Sequence, residues 1–141
     1  MTAKEYLNQA YRLNELIASN FRQIERLKSN LTNIVMGSFD GKVQGGIPTG
    51  FSVTCDKIFD LKKEIEEDSN RMASLLSEIR TTIGKVSSAD ERLLLSLRYL
   101  EFENWEEIST RMGYAERHAL RIHGNALESV EKILKDVAKC H

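Results

Sequence analysis

Proline and cysteine are almost absent from this chain, and their scarcity narrows both its architecture and its chemistry. Pro48 is the one proline among 141 residues, so no other proline interrupts a long helix. Cys55 and Cys140 are the only cysteines, which is too few for a disulfide framework, and we expect both to be free thiols. No second cluster of cysteine and histidine accompanies Cys140 and His141, so we expect no metal site.

The chain also lacks long apolar runs and a large excess of charge. No run of about 18 apolar residues is present, so the sequence predicts no membrane span. The N-terminal residues lack the apolar core of a signal peptide, and we expect a cytoplasmic protein. The formal net charge is −1, and residues 87–141 carry 8 Lys and Arg against 10 Asp and Glu. This balance argues against strong DNA binding through phosphate contacts alone.

Helix-forming residues dominate what remains, and no segment alternates as a strand does, so the sequence predicts an all-α fold. In residues 4–35 and 53–84, apolar residues recur by alternate steps of three and four, the spacing of a coiled-coil seam. The first seam consists of Tyr6, Ala10, Leu13, Ile17, Asn20, Ile24, Leu27, Leu31 and Ile34, and the second of Ile58, Leu61, Ile65, Asp68, Met72, Leu75, Ile79 and Thr82.

Residues 36–52 separate these two helices and hold five of the eight glycines, which predicts a glycine-rich loop. Helices joined in this way fold back on each other, so we expect residues 1–86 to form a long antiparallel hairpin. Leu16 and Phe21 widen the first apolar stripe beyond what a two-helix hairpin covers. We therefore expect the hairpin to pack against residues 87–141 or against a second copy, which would make the protein a homo-oligomer.

No pattern of residues predicts catalysis or a bound cofactor. Gly41 and Lys42 fail as a phosphate-binding loop, because no glycine lies five residues before Gly41 and no Ser or Thr follows Lys42. The histidines at 118, 123 and 141 form neither a triad nor a metal-binding set, and we expect them to be surface residues. We expect no enzymatic activity, no cofactor and no small-molecule substrate.

Residues 105–122 have the pattern of a helix–turn–helix. Asn104 and Glu107 predict a capping box at the start of one helix, as Ser88 and Glu91 do for the helix before it. Gly113 can adopt the left-handed conformation that ends a helix, and Tyr114 is expected to fill the turn. The predicted core positions are Trp105, Ile108, Met112, Ala119 and Ile122. A compact helical pair without DNA-binding activity is the alternative that this pattern leaves open.

In a helix–turn–helix the second helix enters the DNA major groove. Arg117 and Arg121 lie four residues apart and share a face, and each could pair with a guanine for about 1–3 kcal/mol of discrimination. Arg111 lies near this surface, whereas Ala115 cannot cap the second helix as Ser or Thr would. The predicted DNA-facing residues are Glu116, Arg117, His118, Arg121 and Arg111, with Leu120 also directed outward.

The segment from Glu91 to Leu127 resembles the fourth region of bacterial sigma factors. The shared features are a leucine-rich helix ending in Arg-Tyr, an aromatic residue followed by Glu-Glu-Ile, a glycine turn, and a helix closing on Ala-Leu. With the preceding hairpin, the chain is similar to small phage and prophage proteins that resemble the RinA and ArpU regulators of late phage genes. The resemblance implies contacts with promoter DNA through Glu116, Arg117, His118 and Arg121, and RNA polymerase as a second partner.

Two classes of function follow from these features. The first is a sequence-specific regulator of phage or prophage transcription, which binds double-stranded DNA as a dimer or together with RNA polymerase. The second is a coiled-coil adaptor or a small DNA-packaging subunit that mainly binds protein partners. The acidic balance of residues 87–141 and the outward Leu120 favour the second class.

Overall fold

The computed structural model describes residues 1–38 and 50–139, and this part of the chain is helical without any strand, as predicted. In chain order the helices are α1 (Ala3–Leu7), α2 (Gln9–Ser38), α3 (Phe51–Gly84), α4 (Ala89–Leu95), α5 (Trp105–Met112) and α6 (Glu116–Lys139), with a π-helical segment (Ser96–Leu100) directly after α4. Within these described ranges, no helix combines the length and the apolar character needed to cross a bilayer.

The predicted loop at 36–52 lies largely outside the described residues. Gly41, Lys42 and Pro48 fall there, as do Cys140 and His141 at the end of the chain. The two flanking helices extend further into this segment than predicted, because α2 continues to residue 38 and α3 begins at residue 51.

The first predicted helix, over residues 4–35, is interrupted at Asn8. The short α1 that precedes it begins with a complete capping box that the sequence analysis missed. The backbone N–H of Glu5 donates to the Thr2 hydroxyl at 3.2 Å, and the Thr2 N–H donates to the Glu5 carboxylate at 3.1 Å. On either side of the interruption, Leu7 and Ala10 are fully buried.

The described chain divides into two compact units, one made of Met1–Arg12 with Met72–His141 and the other of Leu13–Arg71. In the second unit, the Asn20 amide donates to the Glu64 carboxylate at 3.4 Å, and Leu27 lines a groove with Lys57 and Leu61, so α2 and α3 run antiparallel there. Every predicted seam residue on these helices is buried or half-buried, whereas Leu16 and Phe21 are exposed. The proposed domain boundary between residues 86 and 87 stays a prediction.

The first unit has a core that joins the chain's beginning, the end of α3 and α6. Ala3, Ile83 and Val130 belong to one cluster of buried side chains, and the Ala3 N–H donates to the Glu131 carboxylate at 3.0 Å. The ends of the helical hairpin therefore pack against the C-terminal helices, which is one of the two arrangements expected from its wide apolar stripe.

A second core cluster lies between α4, the π-helical segment, α5 and α6. Leu94 and Leu97 belong to it, whereas their neighbours Leu95 and Tyr99 belong to the first cluster. The segment from α4 through the π-helical turn thus supplies side chains to two cores at once. This shared segment packs against the buried sides of α5 and α6, so the opposite faces of these two helices are exposed.

Candidate nucleic-acid interface

The turn between α5 and α6 has the local geometry that the sequence predicts. The Asn104 side chain accepts a hydrogen bond from the Glu107 N–H at 2.8 Å and caps α5. Gly113 has φ 74° and ψ 25°, and its N–H donates to the Ser109 carbonyl at 3.0 Å. This left-handed residue ends α5 and redirects the chain into α6.

The two capping boxes that the sequence predicts, at the starts of α5 and α4, are only half formed. The Glu107 carboxylate lies 4.0 Å from the Arg111 guanidinium, as an i,i+4 pair. Likewise, the Ser88 hydroxyl accepts from the Glu91 N–H, but the Glu91 carboxylate accepts from the Ser129 hydroxyl at 2.7 Å. The hydrogen bond between Glu91 and Ser129 therefore connects the start of α4 to α6.

The five predicted core positions of the helix–turn–helix pack together. Ile108 and Ala119 are fully buried, Ile122 is nearly so, and Trp105 and Met112 pack against the same cluster. These contacts hold α6 against α5 on one side. They also determine which α6 residues point outward, because a helix buries residues at spacings of three and four.

The outward face of α6 carries the two arginines that the sequence singled out. Arg117 and Arg121 are both exposed, and neither has an ion-pair partner among the described residues. Glu116 and Leu120 are exposed beside them, with Leu120 at 45%. Ala115 precedes the helix and accepts a backbone hydrogen bond from Ala119 N–H, but its methyl side chain cannot cap the helix.

Arg111 differs from the other predicted DNA contacts. Its guanidinium lies 3.3 Å from the Glu103 carboxylate and 4.0 Å from that of Glu107. Two neighbouring carboxylates offset its charge, so Arg111 offers less attraction to a phosphate than Arg117 or Arg121.

His118 is exposed and lies against the turn. The edge of its ring packs against Tyr114, with ring centroids 4.7 Å apart. The Tyr114 hydroxyl donates to the Asp90 carboxylate at 2.9 Å, and this bond raises the pKa of the phenol. Tyr114 is 36% exposed and lies outside the apolar core, and its contacts at the turn are with His118 and Asp90.

His123 is not the surface residue that was expected. The Tyr99 hydroxyl lies 2.6 Å from its Nε2, and the Trp105 ring approaches it edge-on at 4.8 Å. Burial, together with the nearby charges of Lys4 and Arg98, lowers the pKa of His123 from 6.5 to about 4. The imidazole is therefore neutral near pH 7, and its Nε2 shares a hydrogen bond with the Tyr99 hydroxyl.

The sequence spacing around this histidine indicates a packed position. His123 lies four residues after Ala119 and three before Ala126, two fully buried positions of α6. That spacing places its ring on the packed side of the helix, opposite the arginines. Arg98, which lies over the Trp105 ring at 4.9 Å, completes this cluster.

Residues 105–122 carry three arginines and three glutamates, so the helix–turn–helix has no net charge. Within the described ranges, no group of three or more His, Cys, Asp or Glu could hold a metal ion. Comparison of the chain with family models, with curated proteins and with solved structures gave no match.

Proposed function

We propose that this protein binds double-stranded DNA through the outward face of α6 and regulates phage or prophage transcription, as its resemblance to late-gene regulators implies. The supporting observation is the pair Arg117 and Arg121. Both are exposed, they lie one helical turn apart, and within the described residues no carboxylate pairs with either. Arginine in a major groove pairs with guanine through two hydrogen bonds.

A single copy would bind DNA weakly. Two free arginines neutralise few phosphates, and the helix–turn–helix as a whole is electrically balanced. A dimer would double these contacts if its two α6 helices lay about 34 Å apart, one turn of DNA. RNA polymerase already bound at a promoter would serve the same purpose by supplying additional contacts.

The test begins with selection of bound duplexes from a randomised pool, followed by anisotropy titrations of the best duplex at several salt concentrations. The double variant Arg117→Ala with Arg121→Ala should bind at least about thirtyfold more weakly, since each base contact contributes about 1–3 kcal/mol. The matched control is Arg22→Ala with Arg26→Ala, two exposed arginines that are also four residues apart but lie on α2.

The control pair removes the same charge from a different helix, so it separates a specific contact from bulk electrostatics. The control should bind within about threefold of the wild type, because distant surface charges are screened at physiological salt. Equal losses in both double variants, with both folded by circular dichroism, would show that α6 does not face the DNA.

A second candidate function is that of an adaptor or small packaging subunit that binds protein. The observation in its favour is the set of large apolar side chains exposed on residues 13–71, including Phe59 at 69% and Phe21 at 53%. Such side chains are typical of protein contact surfaces. This function predicts no duplex selection at moderate salt, and oligomers of ring size by light scattering.

A further inference from the structure

A cavity of about 300 Å³ lies in the first compact unit, away from the outward face of α6. Its lining residues come from two segments that are far apart in the chain, the turn into α2 and the end of the π-helical segment. They are Asn8, Tyr11, Arg12, Arg98 and Phe102. The cavity thus combines two guanidinium groups, two aromatic rings and one amide, and none of its lining residues carries a carboxylate.

The two arginines make the cavity a site for an anion. Arg12 is exposed and has no ion-pair partner among the described residues. Arg98 donates one hydrogen bond to the Glu103 carbonyl at 3.1 Å, which holds the side chain in place and leaves other N–H groups free. The charge of Arg98, together with that of Lys4, also helps to lower the pKa of His123.

The two aromatic rings give the cavity an apolar wall. The rings of Tyr11 and Phe102 lie 6.0 Å apart between centroids and are tilted by 59°. Tyr11 is 46% exposed, so its ring is not part of the buried core. A flat ring of a ligand can lie against such a wall while its anionic group meets the guanidinium groups.

The backbone at Phe102 strengthens this interpretation. Phe102 has φ 59°, and it is the one described residue other than glycine with a positive φ. It occupies the turn after the π-helical segment, where the Glu103 N–H donates to the Leu97 carbonyl at 2.9 Å. Glycine is the usual residue at such a helix end, because a side chain in this conformation is strained. A phenyl ring at the wall of the cavity is thus carried by a strained backbone.

We propose that this cavity binds a small aromatic anion, with its phosphate or carboxylate group on Arg12 and Arg98 and its ring against Tyr11 and Phe102. The volume suits a ligand of one ring with one anionic group, at the small end of ligand sites in proteins. The site is separate from the proposed DNA-binding face and does not depend on it.

The test uses the full chain and phenyl phosphate, with benzoate as the carboxylate probe. Residue-resolved NMR titration should give saturable shifts at Asn8, Tyr11 and Phe102. Inorganic phosphate and benzyl alcohol, which each carry half of the recognised chemistry, should bind at least about tenfold more weakly than phenyl phosphate. The shift at these three residues identifies the cavity as the place of binding.

Two variants check the assigned contacts. Arg12→Gln should weaken phenyl phosphate binding by at least about tenfold, because it removes a charge-assisted hydrogen bond. Tyr11→Ala, on an exposed helical position, should weaken it several-fold through the loss of one ring. Arg80→Gln is the control, since Arg80 is exposed on α3 and does not line the cavity.

The proposal is overturned if phenyl phosphate and benzoate cause no saturable shift at these residues. It is also overturned if inorganic phosphate binds as tightly as phenyl phosphate, which would mean simple charge attraction. Equal weakening by Arg12→Gln and Arg80→Gln would lead to the same conclusion. None of these outcomes bears on whether α6 binds DNA.

Discussion

At the scale of single residues, His123 is the most informative side chain, because its environment sets both its charge and its partners. The ring lies among Tyr99, Trp105 and Arg98, and its Nε2 shares a hydrogen bond with the phenol. Burial also raises the pKa of Tyr99, so the phenol stays protonated and uncharged near pH 7. The neutral pair joins α6 to the π-helical segment.

Stability should therefore fall as the pH decreases below 6.5. Because folding lowers the pKa of His123 to about 4, the unfolded chain binds a proton in this window that the folded chain does not. The contribution of His123 is complete above pH 6.5. Urea unfolding between pH 7 and pH 5 should show a slope below about 1.4 kcal/mol per pH unit, because solvent reaches part of the ring and reduces the effect.

The variant His123→Gln should flatten this slope, since it has no group that titrates in the window. His118→Gln is the control, because His118 is exposed. This variant should keep the slope of the wild type. If the slope persists unchanged in His123→Gln, the buried histidine is not the cause of the pH dependence.

The arginines of the helix–turn–helix should differ in their effect on DNA binding. Arg121→Gln is expected to weaken binding to a selected duplex by about tenfold, which corresponds to one base contact. Arg111→Gln should change affinity by less than about threefold, because Glu103 and Glu107 already offset its charge. Anisotropy titrations of both variants at one salt concentration make the comparison, and a larger loss in Arg111→Gln would contradict it.

At the scale of helices, two glycines should respond in opposite ways to the same substitution. A Cβ at either Gly113 or Gly124 would meet no atom within 4 Å, so steric contact does not separate them. Gly113 has φ 74°, and Gly113→Ala should destabilise the fold by about 1–2 kcal/mol. Gly124 lies inside α6, and Gly124→Ala should stabilise the fold by about 1 kcal/mol.

Urea unfolding of both variants at one pH measures this difference, and each variant serves as the control for the other. Stabilisation by Gly113→Ala would show that the turn after α5 does not use the left-handed conformation. Destabilisation by Gly124→Ala would show that α6 is bent or opposed by another surface at this point.

At the scale of the whole molecule, several large apolar side chains are exposed on residues 13–71. Leu16, Phe21 and Phe59 are all more than half exposed, although the seam between α2 and α3 is covered. We expect light scattering to show a homo-oligomer, because contact between copies would remove these side chains from water.

Phe59→Glu should raise the dissociation constant of this oligomer by at least about tenfold. The reason is that a charge would replace a ring that the contact between copies buries. Lys62→Gln is the control, because it makes the same change in net charge at an exposed position of the same helix. A wild-type chain that is monomeric at every accessible concentration would contradict the expectation.

Local patterns in the sequence account for much of the described structure. The three-four spacing placed every seam residue on a covered face, because the period of a helix alone decides which residues share a side. Asn104 and Gly113 marked the ends of α5, because capping and left-handed turns depend on one or two residues. The same reasoning placed Arg117 and Arg121 outward.

Contacts between distant segments were beyond such patterns. The pairing of Glu103 with Arg111, the bond from Tyr99 to His123 and the cavity lined by Arg12 and Arg98 each depend on where separate helices meet. The π-helical turn and the left-handed Phe102 arise from packing as well, because neither follows from the propensity of its residues. Periodicity thus specifies which side of each helix is covered. Charge states, ion pairs between separate segments and cavities depend on distances through space, so they come only from the assembled helices.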